Sequence, residues 1–83
     1  MKHKYSARNK HMRLRLKIKE IGEAKGFNMS SLSRASDISF GTIKRLWKYP
    51  ESTVRTGTLE RIAKTLGVRL SDLLVLEKDE EIN

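Results

Sequence analysis

Lys44, Arg45 and Lys48 stand within nine residues of one another in the segment FGTIKRLWK, residues 40–48, and nothing acidic interrupts them. Turned at ~100° per residue, the segment gathers Ile43, Leu46 and Trp47 on one side and Gly41, Lys44, Arg45 and Lys48 on the other. The chemistry open to such a face is recognition of anions. An arginine offers a planar two-pronged donor and a lysine a compact point charge. The rest of the chain agrees: the formal net charge is +8, and residues 1–19 hold eight lysines and arginines and no acid. Only the segment EKDEEIN, 77–83, reverses the sign, with four acids and one lysine. The excess implies an anionic partner, nucleic acid first and an acidic membrane surface second.

Other chemistries find little support. With no cysteine there is neither a disulfide framework nor a thiolate metal site. His3 and His11 are too far apart, and too poorly supported by other ligands, to hold a metal. Nothing resembles a phosphate-cradling glycine loop or a nucleophile elbow, so neither an enzyme nor a cofactor is expected. No apolar run approaches the ~18 residues of a membrane span, and the charged start lacks the apolar stretch of a secretory signal. A soluble cytoplasmic protein is expected. Its 83 residues make one small domain, and a chain of that size buries only about 60 to 65% of its unfolded surface, a thin margin that a partner would help.

Five helices are expected to position the basic face. Apolar residues at Leu14, Ile18, Ile21 and Ala24, with Gly26 as a stop, predict a first helix over about 17–25. Asn28 is suited to cap a second over 29–36, with Met29, Leu32 and Ala35 or Ser36 facing inward. Ser39 caps the third, 40–48, which Pro50 ends. Leu59, Ile62, Ala63 and Leu66, stopped by Gly67, define a fourth over 57–66. LSDLLVLE reads as a short fifth, 71–76, before an acidic tail at 77–83. Residues 52–55, STVR, lie in a polar loop.

Two short helices joined by a tight turn within such a set form a helix-turn-helix. Across GFNMSSLSRASDISFGTIKRLW the chain resembles the phage-repressor and Cro type of helix-turn-helix, the Xre family, over roughly residues 14–76. The points of likeness are Gly26, Asn28, Leu32, the small Ser33, Ile38, Ser39 and Ile43, with TLERIAKTLGVRLSDLL behind them. In that order and spacing they are a strong signal. The resemblance implies an all-α, compact five-helix lambda-repressor-like domain. It also implies a sequence-specific regulator of transcription, most often a repressor, that binds double-stranded DNA.

By position, the resemblance implies that Phe40, Gly41, Lys44 and Arg45 look into the major groove. There Arg45 would take guanine O6 and N7, Phe40 would touch a thymine methyl and Gly41 would let the backbone come close. Phe40 sits at the margin of the two faces and a core role stays open for it. Asn28, Met29, Ser30, Ser39, Thr42, Lys48, Arg13 and Arg15 are the candidates for the phosphate backbone, with main-chain N–H groups of the second helix contributing. Two departures from the family stand out. Asp37 occupies the turn position often held by glycine, and tolerates left-handed backbone better than most residues. Gly22 and Trp47 occupy the places where many relatives pair an arginine with a glutamate, so the indole is expected over the bare backbone at Gly22. A general core role or a DNA-facing one for Trp47 are the alternatives.

The start of the chain needs separate treatment. HMRLRL, 11–16, puts Met12, Leu14 and Leu16 on one side of an extended strand and the cations on the other, whereas a helix would expose Met12 and Leu16. A strand needs a partner. The same strand in a second protomer would make a homodimer through 11–16; the loop at 52–55 is the other extended candidate, and a plain helix remains the third reading. Residues 1–10 read as a basic arm able to follow phosphates or enter a minor groove. Because relatives include antitoxins, an alternative is an antitoxin that binds both a toxin protein and its own operator. RNA binding is disfavoured by the lack of aromatic-rich strands, and a membrane role by helices that are apolar on one face only.

Overall fold

The computed structural model describes residues 12–78; the basic arm 1–10, His11 and residues 79–83 lie outside the described residues. The order is β1 (Met12–Leu16), α1 (Ile18–Ala24), α2 (Met29–Ser36), α3 (Phe40–Lys48), α4 (Thr56–Leu66), a 3-10 turn (Leu70–Leu73) and β2 (Leu74–Lys78). The first four helices stand where periodicity and caps put them. Three of them leave through a left-handed residue: Gly26 (φ 88°), Asp37 (φ 60°) and Gly67 (φ 72°). After α1 the N–H of Phe27 reaches back to Gly22 O and that of Gly26 to Glu23 O, and Val68 and Gly67 do the same to Ala63 and Lys64 after α4. These are paired closures that satisfy the last carbonyls of a helix.

The core is assembled from the inner faces of all these elements: Ile18, Leu32, Ile43, Leu46, Ile62 and Leu73 are fully enclosed. The inner face of α4 is as expected, with Leu59, Ile62, Ala63 and Leu66 all buried. In α2 it is Ser36 and not Ala35 that turns inward, its Oγ donating to Leu32 O at 2.6 Å so that no buried hydroxyl is left unpaired. In α1 the buried face runs through Ile18 and Gly22, while Ala24, on the expected stripe, is exposed.

The expected fifth helix is absent. Asp72 takes the Arg69 N–H on its carboxylate at 3.0 Å and returns its own N–H to Arg69 O at 2.9 Å, which winds one tight 3-10 turn and then releases the chain. From Leu74 it runs extended, antiparallel to β1, in the register Leu14 with Leu76 and Leu16 with Leu74. A short apolar run such as LLVL is compatible with either state, and here the unpaired backbone of β1 decides. Among the described residues the fold is therefore mainly helical, with four α-helices and a short sheet in place of five helices. The strand at the chain start is real, and within the chain it pairs with β2 and not with the loop at 52–55. Just before that loop, Pro50 O accepts from the Leu16 N–H at 2.8 Å.

Candidate nucleic-acid interface

The entrance to α2 is built by Asn28. Its side-chain oxygen accepts from Ser31 N at 2.8 Å, while Ser31 Oγ accepts from Asn28 N at 2.9 Å, a reciprocal cap. The N–H groups of Met29 and Ser30, at the start of the helix, have no carbonyl within it to bond, and no acid sits in the first turn. At its far end α2 closes through Asp37 at φ 60° and ψ 38°. Two side chains brace this turn from either side. Ser33 Oγ donates to Ile38 O at 2.6 Å, and Arg61, reaching over from α4, donates to Asp37 O at 3.2 Å. Nothing local in the sequence announces the second contact, since its residues are 24 apart.

Beyond the turn, Ser39 starts α3 by accepting from Thr42 N at 3.3 Å, with its hydroxyl directed to Thr42 Oγ1 at 3.0 Å. The two faces of α3 separate cleanly: Ile43, Leu46 and Trp47 are buried, while Gly41, Lys44, Arg45 and Lys48 are exposed. Phe40 is 45% exposed, so the margin position falls to the outside. Thr42 is half-buried and used by the cap.

Trp47 packs this helix against α1 at Gly22. A Cβ added to Gly22 would lie 2.9 Å from Trp47 Cζ3 and 3.2 Å from Cη2, so the ring rests on bare backbone. Trp47 is 8% exposed. Burying a side chain of this class contributes on the order of 1.5 to 3 kcal/mol, against about 0 to 1 for an exposed ion pair at the same place. Apolar contact thus stands where a charge pair would be the weaker fastening.

The cations are not equally free. Arg45 donates from Nη1 to Thr53 O at 2.7 Å, tying the last turn of α3 to the loop at 49–55. A guanidinium has five N–H donors in a rigid fork, so most remain for another acceptor. At the same end of α3, Lys48 joins Arg15, Lys19 and Tyr49 around a cleft of about 570 Å³ floored by Met29 and Trp47. Arg15, half-buried, lies 3.6 Å from the exposed Glu20. Arg13 has a place on β1, one residue outward of Leu14. Lys19 and Tyr49 are the members of this cluster that sequence reasoning missed. Their signal was weak, a lysine among eight early cations and a tyrosine between the end of a helix and Pro50.

Two helices at a braced turn, the second buried along one side and cationic along the other, define a helix-turn-helix DNA-binding head. The model of the Cro/C1-type HTH DNA-binding domain family matches residues 17–79, and the chain belongs to that family. No curated protein and no solved structure matches the chain. No helix among the described residues is long and apolar enough to cross a membrane.

Proposed function

We propose that the chain is a cytoplasmic, sequence-specific regulator that lays α3 in the major groove of duplex DNA. The observation that carries this reading is the division of α3 itself: its apolar side is sunk in the core and Gly41, Lys44 and Arg45 are presented together to solvent. Residues in the first turns of such a helix reach base edges. Phe40, Gly41, Lys44 and Arg45 accordingly read bases. Arg45 does so with the donors its bond to Thr53 leaves over.

Phosphates are taken by a wider set. The α2 entrance supplies Asn28, Met29 and Ser30 largely through main-chain N–H groups, and the α3 entrance supplies Ser39 and Thr42. Lys48 and Arg15 flank the cleft at the far end of α3, with Arg13 beyond them on β1. Occupying a promoter site needs no further contact to block it, so the regulation we propose is repression.

Selection of binding sites from random duplexes tests the reading directly. A recovered motif whose affinity falls by at least a hundredfold when scrambled is the expected result, since specific and non-specific binding differ by about 10³ to 10⁷. Equal affinity for every duplex, or preference for a matched RNA, would overturn it.

A further inference from the structure

The main chain of the turn between α2 and α3 offers the N–H and C=O groups of Asp37 and Ile38, and every one of them is engaged. Both N–H groups donate to Ser33 O, and Ile38 O accepts from Ser33 Oγ. Those bonds all return to one residue of α2, so they fix the shape of the turn in the frame of that helix alone. The remaining group behaves differently. Asp37 O accepts from Arg61 Nη1 of α4 at 3.2 Å, the one bond of the set that leaves the helix-turn-helix.

What that bond ties together follows from the packing. α3 rests on α1 and α2, and α4 rests on the same two helices with little direct contact to α3. α4 is itself firmly seated: Leu59, Ile62, Ala63 and Leu66 bury its inner side, and Arg61 adjoins the fully enclosed Ile62 while its own side chain stays exposed. Between Asp37 and Phe40 the half-buried Ile38 is the residue that meets the core. A swing of the turn is therefore carried straight into the first turn of α3, where Phe40 and Gly41 stand. Asp37 also holds a left-handed backbone at φ 60°, a conformation that persists in a residue other than glycine only where the surroundings fix it. A guanidinium suits that post. Its bond to a carbonyl is charge-assisted, and the carbonyl at the C-terminus of α2 carries the partial negative charge of the helix.

We infer that Arg61 is a positioning residue for base reading: from α4 it holds Asp37 O and so sets where the turn delivers the N-terminus of α3, without itself touching base or phosphate. This role rests on the proposed reading of duplex DNA by α3 and adds to it a residue from a helix outside the motif. The competing role for an exposed arginine is direct contact with phosphate. Arg61 shares a shallow hollow at the start of α4 with Arg55, Gly57 and Thr58, and an anion received there would be bound without regard to sequence. A brace and a phosphate contact thus differ in what they do to matched and unmatched DNA.

Binding of Arg61→Ala to the duplex recovered by site selection, and to a scrambled duplex, over a salt series separates the two. As a brace, Arg61 is worth roughly tenfold in affinity for the selected duplex, the scale of one charge-assisted hydrogen bond. Affinity for the scrambled duplex should stay within about twofold of wild type, with the salt slope unchanged. Equal losses on both duplexes with a slope smaller by about one are the signature of a phosphate contact, and would overturn the inference. A second arm needs no DNA. The Ile38 amide shares its peptide with Asp37 O, so in nitrogen–proton correlation spectra of Arg61→Ala its resonance should move and its exchange with solvent should speed at least about tenfold. The melting temperature should stay within about 4 °C of wild type, because the side chain is exposed. An unmoved Ile38 amide would overturn the inference, and so would a larger fall in melting temperature, which would make Arg61 a residue of the fold. A wild type that prefers no duplex sequence would sink the DNA reading and this role with it, while the Ile38 arm still reports whether the bond exists.

Discussion

α3 and the β1–β2 sheet both present side chains to water, and they do so at opposite cost. On α3 the exposed groups are Lys44, Arg45 and Lys48, solvated ions, of which Arg45 gives one donor to Thr53 O. Arg45 and Lys48 even favour the free protein, since cations in the last turn offset the partial negative charge at a helix C-terminus. On the sheet the exposed groups are Leu14 and Leu76, and each forgoes part of the roughly 1.5 to 3 kcal/mol that full burial of a leucine contributes. A face of ions is stable alone and waits for a partner. A face of leucines leaves apolar area in water. The difference separates a face that is stable in water from one that leaves apolar burial incomplete.

The largest effect should come from breaking the support the two faces share. Leu46 is 1% exposed beneath α3, and Leu46→Ala should lower unfolding stability by about 2 to 5 kcal/mol in urea titration, taking both faces with it. Lys44→Ala, two residues earlier and exposed, should leave the melt within about 0.5 kcal/mol and lower only DNA affinity. Equal losses of stability would show that the outer side of α3 is structural. Gly22→Leu comes next. The added side chain enters space held by the Trp47 ring, and overpacking should cost about 1 to 3 kcal/mol, net of a helix-propensity gain of up to ~1. Thermal melts, with tryptophan emission reporting ring displacement, check this. An unchanged melting temperature would mean that Trp47 does not set the position of α3.

Within the α3 face itself, Arg45 and Lys48 should divide the work of binding. Arg45→Ala should relax base preference at one operator position by about 1 to 3 kcal/mol, whereas Lys48→Ala should weaken all duplexes alike and reduce the salt slope by about one. Binding isotherms over a salt series on matched and mismatched duplexes separate the two. The bond from Arg45 to Thr53 O sharpens the test. If Arg45 serves only as a tether for the loop, its removal will change affinity uniformly and leave preference intact.

How much of this was legible in the chain differs between the same two regions. The α3 face was readable because every cue is local: a Ser39 cap, a nine-residue amphipathic pattern, a proline stop and an aspartate able to enter left-handed backbone. Even the Gly22 and Trp47 contact could be inferred, because a small and a large residue fall together at positions that face one another in this family. The sheet was half readable. Alternation exposed β1, but β2 lies some sixty residues further on and shares its composition with a helix. What decided the state of Leu74–Lys78 was the hydrogen-bonding need of a distant strand, which no window of sequence contains. The braces from Arg61 to Asp37 and from Arg45 to Thr53 were hidden for the same reason.

The smallest expected effect lies in the turn that aims α3. Asp37 holds φ 60° where Gly26 and Gly67 perform the same closure for α1 and α4. A non-glycine residue in this region costs roughly 1 to 2 kcal/mol, less for aspartate, and glycine loses about 0.5 to 1 kcal/mol of chain entropy in exchange. Asp37→Gly should therefore change stability by less than about 1 kcal/mol, whereas Asp37→Val, branched at Cβ, should be clearly destabilising. The Ser33 and Arg61 bonds to this turn are to main-chain carbonyls and survive either change. DNA affinity of Asp37→Gly should stay within a factor of two of wild type. A larger loss with stability preserved would mean that the carboxylate, and not the backbone it tolerates, is what orients the reading face; the sheet, which has no such turn, offers the control through Leu14→Ser, neutral for monomer stability.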